Sequence, residues 1–250
     1  MSVRTGLVSV TFRQLAVEEV VEVAVRAGLS AIEWGGDIHV PVGDLPAARK
    51  ARALCEDNGL AIAAYGSYLR AGSVDREEIR TAVSTAAELG APRIRIWAGS
   101  VGTADAGVGD RMAVTRGLAE LADVAAGYGI DVAMEFHRGT LTDEVDSTIT
   151  LLLDVGAPNL KTYWQPPVDI RDDECLEQLE SLMPWLSTVH VFSWWPSNNR
   201  LPLAARKSLW RPVLNRLAAE PREINALLEF VADDSVDQFA VDAADLHAWV

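Results

Sequence analysis

Four side chains that can bind a metal ion follow four successive apolar segments in the second half of the chain. They are Glu135 in MEFHRGT, Gln165 in YWQPP, His190 in VHVFSWW and Glu229 in LLEFVADD. His190 stands between two valines, so a satisfied interior histidine is the alternative to a ligand there. Two carboxylates, one imidazole and one amide oxygen suit a hard or borderline divalent cation, Mn²⁺ or Mg²⁺ first and Co²⁺ or Zn²⁺ as alternatives. The pattern therefore predicts a divalent-metal site. Gln165 is open to two interpretations, a weak ligand or a hydrogen-bonding neighbour of the ligands.

Aromatic and polar residues near the ends of similar segments are candidates for substrate contact. Tryptophan rings can pack against the C–H faces of a sugar, while polar groups hydrogen-bond its oxygens. The candidates are Trp34, His39, Tyr65, Arg95, Trp97, His137 and Trp164. His39 fits a surface turn equally well, and His137 can orient a metal ligand instead. Arg95 can also pair with Glu33 inside the fold, because a buried charge needs a partner.

A repeated junction between helix-like and strand-like segments positions these residues. In each repeat an amphipathic run ends at a glycine and a short apolar run follows; the glycines are Gly28, Gly59, Gly90, Gly129 and Gly156. Glycine after a helix adopts the left-handed conformation that turns the chain into the next element. Short apolar segments that alternate with amphipathic helices are typical of a parallel sheet covered by helices.

Eight strands are predicted, near residues 5–10, 30–34, 60–65, 93–97, 131–136, 159–164, 187–192 and 224–231, with a last short helix near 241–249. Eight βα units in 250 residues predict an α/β fold, a (β/α)8 TIM barrel that forms a single domain over residues 1–250. An open doubly wound sheet is the alternative, but its glycine-rich nucleotide loop is missing from the sequence. The loops after the strands of a TIM barrel form its active site, so the polar residues should meet at one mouth.

Six segments resemble the xylose-isomerase-like TIM-barrel superfamily, the sugar phosphate isomerase/epimerase group. They are GLVSVTFRQL, AIEWGGDIHVP, AAYGSYLRAG, RIRIWAG, MEFHRGTLTDE and HVFSWWPSNNR, and the similarity spans essentially the whole chain. The resemblance implies a metal held by a glutamate, an aspartate, a histidine and a glutamate on the last four strands. Gln165 stands where the aspartate is expected, so the site has one negative charge fewer. The resemblance also implies that Arg200, after the seventh strand, contacts substrate oxygens.

The same resemblance implies a sugar isomerase or epimerase that acts on a small keto sugar or polyol derivative. The metal would stabilise the enediolate that forms when a proton leaves the carbon beside a carbonyl, with Glu135 and Glu229 as the acid/base pair. Proton return on the opposite face gives epimerisation, and return on the shared face gives isomerisation. Two alternatives stay open: a dehydratase, in which a β-hydroxyl leaves, and a non-catalytic sugar-binding barrel with a metal site degraded at Gln165.

The charge balance argues against nucleic acid as a partner. The formal net charge is −14, from 36 acidic and 22 basic residues, and no basic stripe runs along the chain, so phosphate backbones would be repelled. No apolar run approaches the roughly 20 residues of a membrane helix, and the first residues do not resemble a secretory signal. The chain is therefore predicted to be a cytoplasmic, non-membrane protein. Whether it forms a homo-oligomer is left open by the sequence.

Overall fold

The computed structural model describes residues 3–250, and eight parallel strands form a closed barrel in it. The barrel strands are β1 (Val3–Val8), β2 (Ala31–Gly35), β3 (Ala61–Arg70), β4 (Arg93–Trp97), β5 (Asp131–Met134), β6 (Leu160–Trp164), β7 (Leu186–Val191) and, after a short ribbon, β10 (Ile224–Leu228). The ribbon consists of β8 (Ser193–Trp194) and β9 (Arg200–Leu201), which pair antiparallel. Strand β1 pairs with both β2 and β10, which closes the barrel.

Residues 3–250 contain eight α-helices, of which seven connect barrel strands and the last follows β10. They are α1 (Val17–Arg26), α2 (Leu45–Asp57), α3 (Arg76–Leu89), α4 (Val108–Ala126), α5 (Val145–Val155), α6 (Asp172–Leu182), α7 (Lys207–Ala218) and α8 (Val236–Trp249). The five predicted turn glycines all have left-handed backbones, with φ between 60° and 79°. The structure thus confirms the (β/α)8 barrel and the use of glycine at these junctions. Within residues 3–250, no helix is long and apolar enough to cross a membrane.

Several predicted boundaries were wrong near the mouth of the barrel. The fifth strand ends at Met134 and the eighth at Leu228, so Glu135 and Glu229 are the first residues after their strands. The last helix starts at Val236, five residues before the predicted start, because the side chain of Ser235 accepts a hydrogen bond from the backbone N–H of Gln238.

Side chains on alternate strand positions divide between two environments. One set packs against the helices in the main core, and the other points into the barrel. Two small apolar clusters belong to the inward set, one of Val8, Val10, Ala31, Ala63 and Leu227 and one of Ala64, Ala133 and Tyr163. Glu33, Arg95 and His190 pair in register with residues of these clusters. Glu135, Gln165 and Glu229 lie two residues further along the chain than Ala133, Tyr163 and Leu227, towards the mouth.

Gly6 marks a close approach inside β1. A Cβ atom there would lie 2.5 Å from the carbonyl oxygen of Ala31 and 2.6 Å from Cδ2 of Leu227. We expect Gly6→Ala to lower the free energy of unfolding by about 1–3 kcal/mol, because the backbone of β2 cannot give way cheaply. Urea denaturation measures this loss. Gly109→Ala is the matched control: no atom lies within 4 Å of the added Cβ in α4, so this variant should be at least as stable as the parent. Equal stability of the two variants would contradict the prediction.

Candidate active site

Arg95, on β4, is the centre of a buried group of charges inside the barrel. Its side chain is 3% exposed; Nε donates to Oε1 of Glu33 at 2.6 Å, and Nη1 donates to Oε2 of Glu135. Burial alone raises the pKa of a carboxyl group. The charge of Arg95 outweighs it, lowering the pKa of Glu33 to about 2 and that of Glu135 below its ordinary value. Both carboxylates are therefore ionised at neutral pH.

The carboxylate of Glu135 is held in one orientation. Nε1 of Trp97 donates to the same oxygen as Arg95, Oε2, at 2.6 Å, and the hydroxyl of Thr142 donates to the Glu135 carbonyl oxygen at 2.6 Å. The other carboxylate oxygen, Oε1, accepts no hydrogen bond from the residues that the structure describes. Glu135 therefore has one carboxylate oxygen committed to the protein and one available to a ligand.

His190, on β7 and fully buried, brings Gln165 and Glu229 together. Its Nδ1 lies 3.1 Å from Oε1 of Gln165 and 3.3 Å from Oε2 of Glu229, and its Nε2 lies 3.5 Å from Oε2 of Glu33. Burial alone lowers a histidine pKa, but the carboxylates of Glu229 and Glu33 raise the pKa of His190 to about 10. The carboxylates around this ring therefore stabilise a positive charge, which is carried either by the protonated ring or by a cation bound to the neutral ring.

These donor atoms suit a divalent cation. An amide oxygen and a carboxylate oxygen meet at one imidazole nitrogen, and Oε1 of Glu135 is available in the same cavity. Among residues 3–250, no three His, Cys, Asp or Glu side chains are grouped as a metal site. Of the two side chains near Nδ1 of His190, only Glu229 is of these types, so a third ligand there has to be the amide oxygen of Gln165.

His137, two residues after Glu135, presents a free ring nitrogen at the cavity wall. Its Nδ1 lies 2.7 Å from the carbonyl oxygen of Arg138; a carbonyl can only accept, so Nδ1 carries the proton of the neutral ring. Nε2 then keeps a lone pair that can accept a proton. The ring packs on Trp97 with the centroids 5.3 Å apart, and the hydroxyl of Thr140 donates to the His137 carbonyl oxygen at 2.7 Å. This arrangement fits a positioned general base.

A cavity of about 280 Å³ opens over these groups. Glu135, Gln165 and Glu229 provide the polar atoms of its buried end, and the side chains of Glu135 and Glu229 are only 5% and 6% exposed. Its remaining lining residues are Phe136, His137, Arg138, Asp143, Pro166, Pro167, Val168, Ile170, Phe192, Trp194 and Phe230. A cavity of this size, with polar atoms at the buried end and apolar walls, suits a ring-sized polar molecule.

The structure brings together only some of the predicted site residues. The four candidate ligands and His137 lie in or beneath the cavity, with Arg95 and Trp97 bound to Glu135. Four predicted substrate contacts lie elsewhere: Trp34 packs against His39, Tyr65 donates its hydroxyl to the carbonyl of Val40, and Trp164 packs against Trp210. Trp34 and Trp164 each follow an inward-facing residue, so their side chains point outward to the helices.

Arg200 reaches the rim but is already engaged. Its guanidinium is paired with Asp234, and its Cζ lies 4.9 Å from the ring centroid of Phe230. Phe230 itself lines the cavity. Arg200 therefore supports the wall at Phe230 in this structure and does not itself line the cavity.

Sequence reasoning missed Tyr163 and the apolar walls of the cavity. The hydroxyl of Tyr163 donates to Oε2 of Glu33 at 2.9 Å, and its ring packs edge-on against His190. Tyr163 lies two positions before Gln165, so strand alternation alone indicates that both point into the barrel. The walls come from loops, where no such periodicity exists.

The fold and the site together define a TIM barrel with a polar site at the C-terminal mouth of its strands. Residues 21–167, more than half of the chain, match the family model described as xylose isomerase-like TIM barrel. The chain belongs to the xylose isomerase-like TIM barrel family.

Named relatives include a dehydratase and an epimerase. A 3-dehydroshikimate dehydratase of Bacillus anthracis is 26% identical over 200 residues, covering 74% of this chain and 70% of that protein. The crystal structure of a probable 3-DHS dehydratase from the same organism superposes with a TM-score of 0.82 at 20% identity over 98% of both chains. A D-allulose 3-epimerase from Methylomonas sp. superposes with a TM-score of 0.76 at 16% identity, over 100% of this chain and 98% of that one.

A further family structure contains a metal ion. A xylose isomerase-like TIM barrel protein from Mycobacterium smegmatis, solved in complex with magnesium, superposes with a TM-score of 0.70 at 15% identity, over 95% of this chain and 90% of that one. At these identities the structural similarities show the fold alone.

Proposed function

We propose that this protein is a divalent-metal-dependent dehydratase that removes water from a small polyhydroxylated cyclic ketone. The observation that carries the proposal is the free Nε2 of His137, positioned at the wall of a cavity whose buried end suits a metal ion. The sequence similarity to a 3-dehydroshikimate dehydratase supports a substrate of that chemical kind. His137 thus favours a dehydratase, one of the alternatives to an isomerase or epimerase.

The proposed reaction is the elimination of a hydroxyl group β to a carbonyl. Nε2 of His137 accepts the proton from the carbon beside the carbonyl, and the electron pair of the broken C–H bond forms an enolate. The carbonyl then re-forms, a C=C double bond forms, and the C–O bond to the β-hydroxyl breaks. The proton on His137 leaves with that hydroxyl as water. The products are the unsaturated ketone and one water molecule, and His137 returns to its neutral form.

The residues that would hold the metal are Glu135, through Oε1, with Gln165, His190 and Glu229. When bound, a divalent cation supplies Lewis-acid stabilisation of the negative charge that develops on the substrate oxygen. Arg95 and Trp97 contribute by fixing Glu135 in the ionised form that a cation needs. The apolar walls exclude water from the reacting carbons.

A ketose epimerase is the second candidate, and Glu229 is the observation that favours it. Epimerisation needs two groups that exchange protons with opposite faces of one carbon. Glu229 lines the cavity and has its Oε2 beside His190, so it is available as a second group. Glu135 is a weaker base because two N–H donors already stabilise its negative charge.

Products formed in D₂O distinguish the two reactions. The purified protein, loaded with Mn²⁺ after metal removal, is incubated separately with 3-dehydroshikimate and with D-allulose, and the products are analysed by mass spectrometry. Metal-dependent loss of one water from 3-dehydroshikimate supports the dehydratase. An epimer of the ketose with one deuterium supports the second candidate instead. Turnover that is unchanged after metal removal would contradict the metal in both proposals.

The amide of Gln165 should set the strength of metal binding. A carboxylate at this position adds a negative charge beside His190. We therefore expect Gln165→Asp to tighten Mn²⁺ binding by about tenfold, which corresponds to a gain of about 1.4 kcal/mol in binding free energy. Gln165→Leu removes the donor and should weaken binding by a similar factor. Isothermal titration with Mn²⁺ measures both. Equal affinity of the parent and the leucine variant would show that Gln165 is not a ligand.

A further inference from the structure

Arg138 stands alone among the charged groups of the cavity. It is exposed, lines the cavity, and its guanidinium has no hydrogen bond, ion pair or aromatic contact with any of residues 3–250. The other charged lining residues, Glu135, Asp143 and Glu229, are all acidic. The cavity therefore has one cationic group, and that group is uncommitted.

Three other arginines at this end of the barrel have partners, whereas Arg138 has none among residues 3–250. Arg13 pairs with Asp37, Arg200 pairs with Asp234, and Arg70 donates to the carbonyl of Gly99 and lies over Trp97. In a chain with 36 acidic and 22 basic residues, Arg138 is thus a cation that stays unpaired beside a cavity, and a guanidinium of this kind can pair with a carboxylate.

The backbone around Arg138 is well held. Its carbonyl accepts from His137 at 2.7 Å, the hydroxyl of Thr140 donates to the His137 carbonyl, and the N–H of Leu141 donates to the carbonyl of Ala98 at 2.9 Å. These bonds fix the backbone of the loop, so that the proposed base and Arg138 stay neighbours in the lining of one cavity.

We infer that Arg138 binds a carboxylate of the substrate at the mouth of the cavity, so that the substrate is a carboxylated ring ketone. This deepens the proposed function and rests on it for the reaction, although not for the binding. A planar guanidinium matches a carboxylate with two parallel hydrogen bonds. A phosphate dianion fits less well, because one arginine would have to offset it beside Asp143, which also lines the cavity.

The inference is tested with a carboxylate and its neutral ester. Binding of shikimate and of methyl shikimate to the Mn²⁺-loaded protein is measured by isothermal titration calorimetry. The parent should bind shikimate at least about tenfold more tightly, as expected for a charge-assisted bidentate contact. Arg138→Gln should bring the two affinities together, and Arg138→Lys should restore part of the difference. Arg26→Gln, on the exposed surface of α1, is the control and should keep the parent's preference.

Failure of this inference is distinguishable from failure of the proposed function. A parent that shows no preference for shikimate, or an Arg138→Gln variant that keeps it, overturns the role of Arg138. Turnover of 3-dehydroshikimate is measured on the same preparations. If the preference for shikimate depends on Arg138 but 3-dehydroshikimate is not turned over, the anion site is supported and the dehydratase is contradicted. Turnover without the preference supports the dehydratase and overturns the anion site.

Discussion

His137→Gln is expected to lower kcat for dehydration by about 10²–10⁴-fold, the contribution of a positioned general base. Glutamine has a side chain of similar reach and can still donate to the carbonyl of Arg138, the bond that Nδ1 makes at 2.7 Å. An amide has no lone pair that accepts a proton at neutral pH, so binding should persist while chemistry is lost. Stopped-flow rates with the Mn²⁺-loaded variant, compared with its Mn²⁺ affinity from calorimetry, separate the two effects.

The matched control for this variant is His247→Gln. His247 is exposed on α8 and its Nε2 lies 3.2 Å from the carbonyl of Ala27, so it pairs with a carbonyl as His137 does but lies outside the cavity. The control should keep the parent's rate. A His137→Gln variant that retains more than about a tenth of the activity would exclude His137 as the base, given the usual size of the effect.

Arg95→Met is expected to destabilise the protein by about 3–5 kcal/mol at neutral pH, because it leaves the buried carboxylates of Glu33 and Glu135 without their cation. Arg49→Met is the control for losing an arginine: Arg49 pairs with Glu88 on the surface, and the variant should lose less than about 1 kcal/mol. Guanidinium chloride is itself ionic, so urea denaturation is the measurement. A loss below about 1 kcal/mol in Arg95→Met would contradict the role of Arg95 as the cation that stabilises Glu33 and Glu135.

The loss in Arg95→Met should depend on pH. In the parent, folding lowers the pKa of Glu33 from its ordinary value of 4.5 to about 2, so this carboxylate adds stability above pH 4.5 and loses it as pH falls towards 2. Without Arg95, His190 still lowers the pKa of Glu33, but less opposes the effect of burial, which raises the pKa of both carboxyl groups. Their pKa values rise, and ionisation adds less stability or opposes folding. The difference between parent and variant should therefore be larger at neutral pH than near pH 5.

The sequence predicted the barrel well because its signals are local and repeated. Gly28, Gly59, Gly90, Gly129 and Gly156 end helical turns whose backbone only glycine adopts without strain, and the apolar segments that follow are too short for helices. Boundaries at the mouth were less accurate, because the first polar residue after each strand still donates its backbone N–H to the neighbouring strand, although the regular strand ends one residue earlier. Glu135 and Glu229 are both of this kind.

The candidate site was predicted in part. Glu135, Gln165, His190 and Glu229 were found because their types stand out after apolar strands, and their roles stay predictions. Trp34 and Trp164 were grouped with the mouth because they too end strands, although alternation places them on the helix side. The free guanidinium of Arg138 had no signal in the sequence, because pairing among arginines is set by loop conformations distant along the chain.

The charges around Arg95 bear on how the substrate specificity of this protein can evolve. Side chains from β2, β4, β6 and β7, with Glu135 and Glu229 just beyond β5 and β10, meet in one buried layer. That layer is built from strands, whereas Arg138, Phe192 and Phe230 come from the loops above it. Selection on the loops can therefore exchange one substrate for another while the buried charges that orient Glu135 stay in place beneath them.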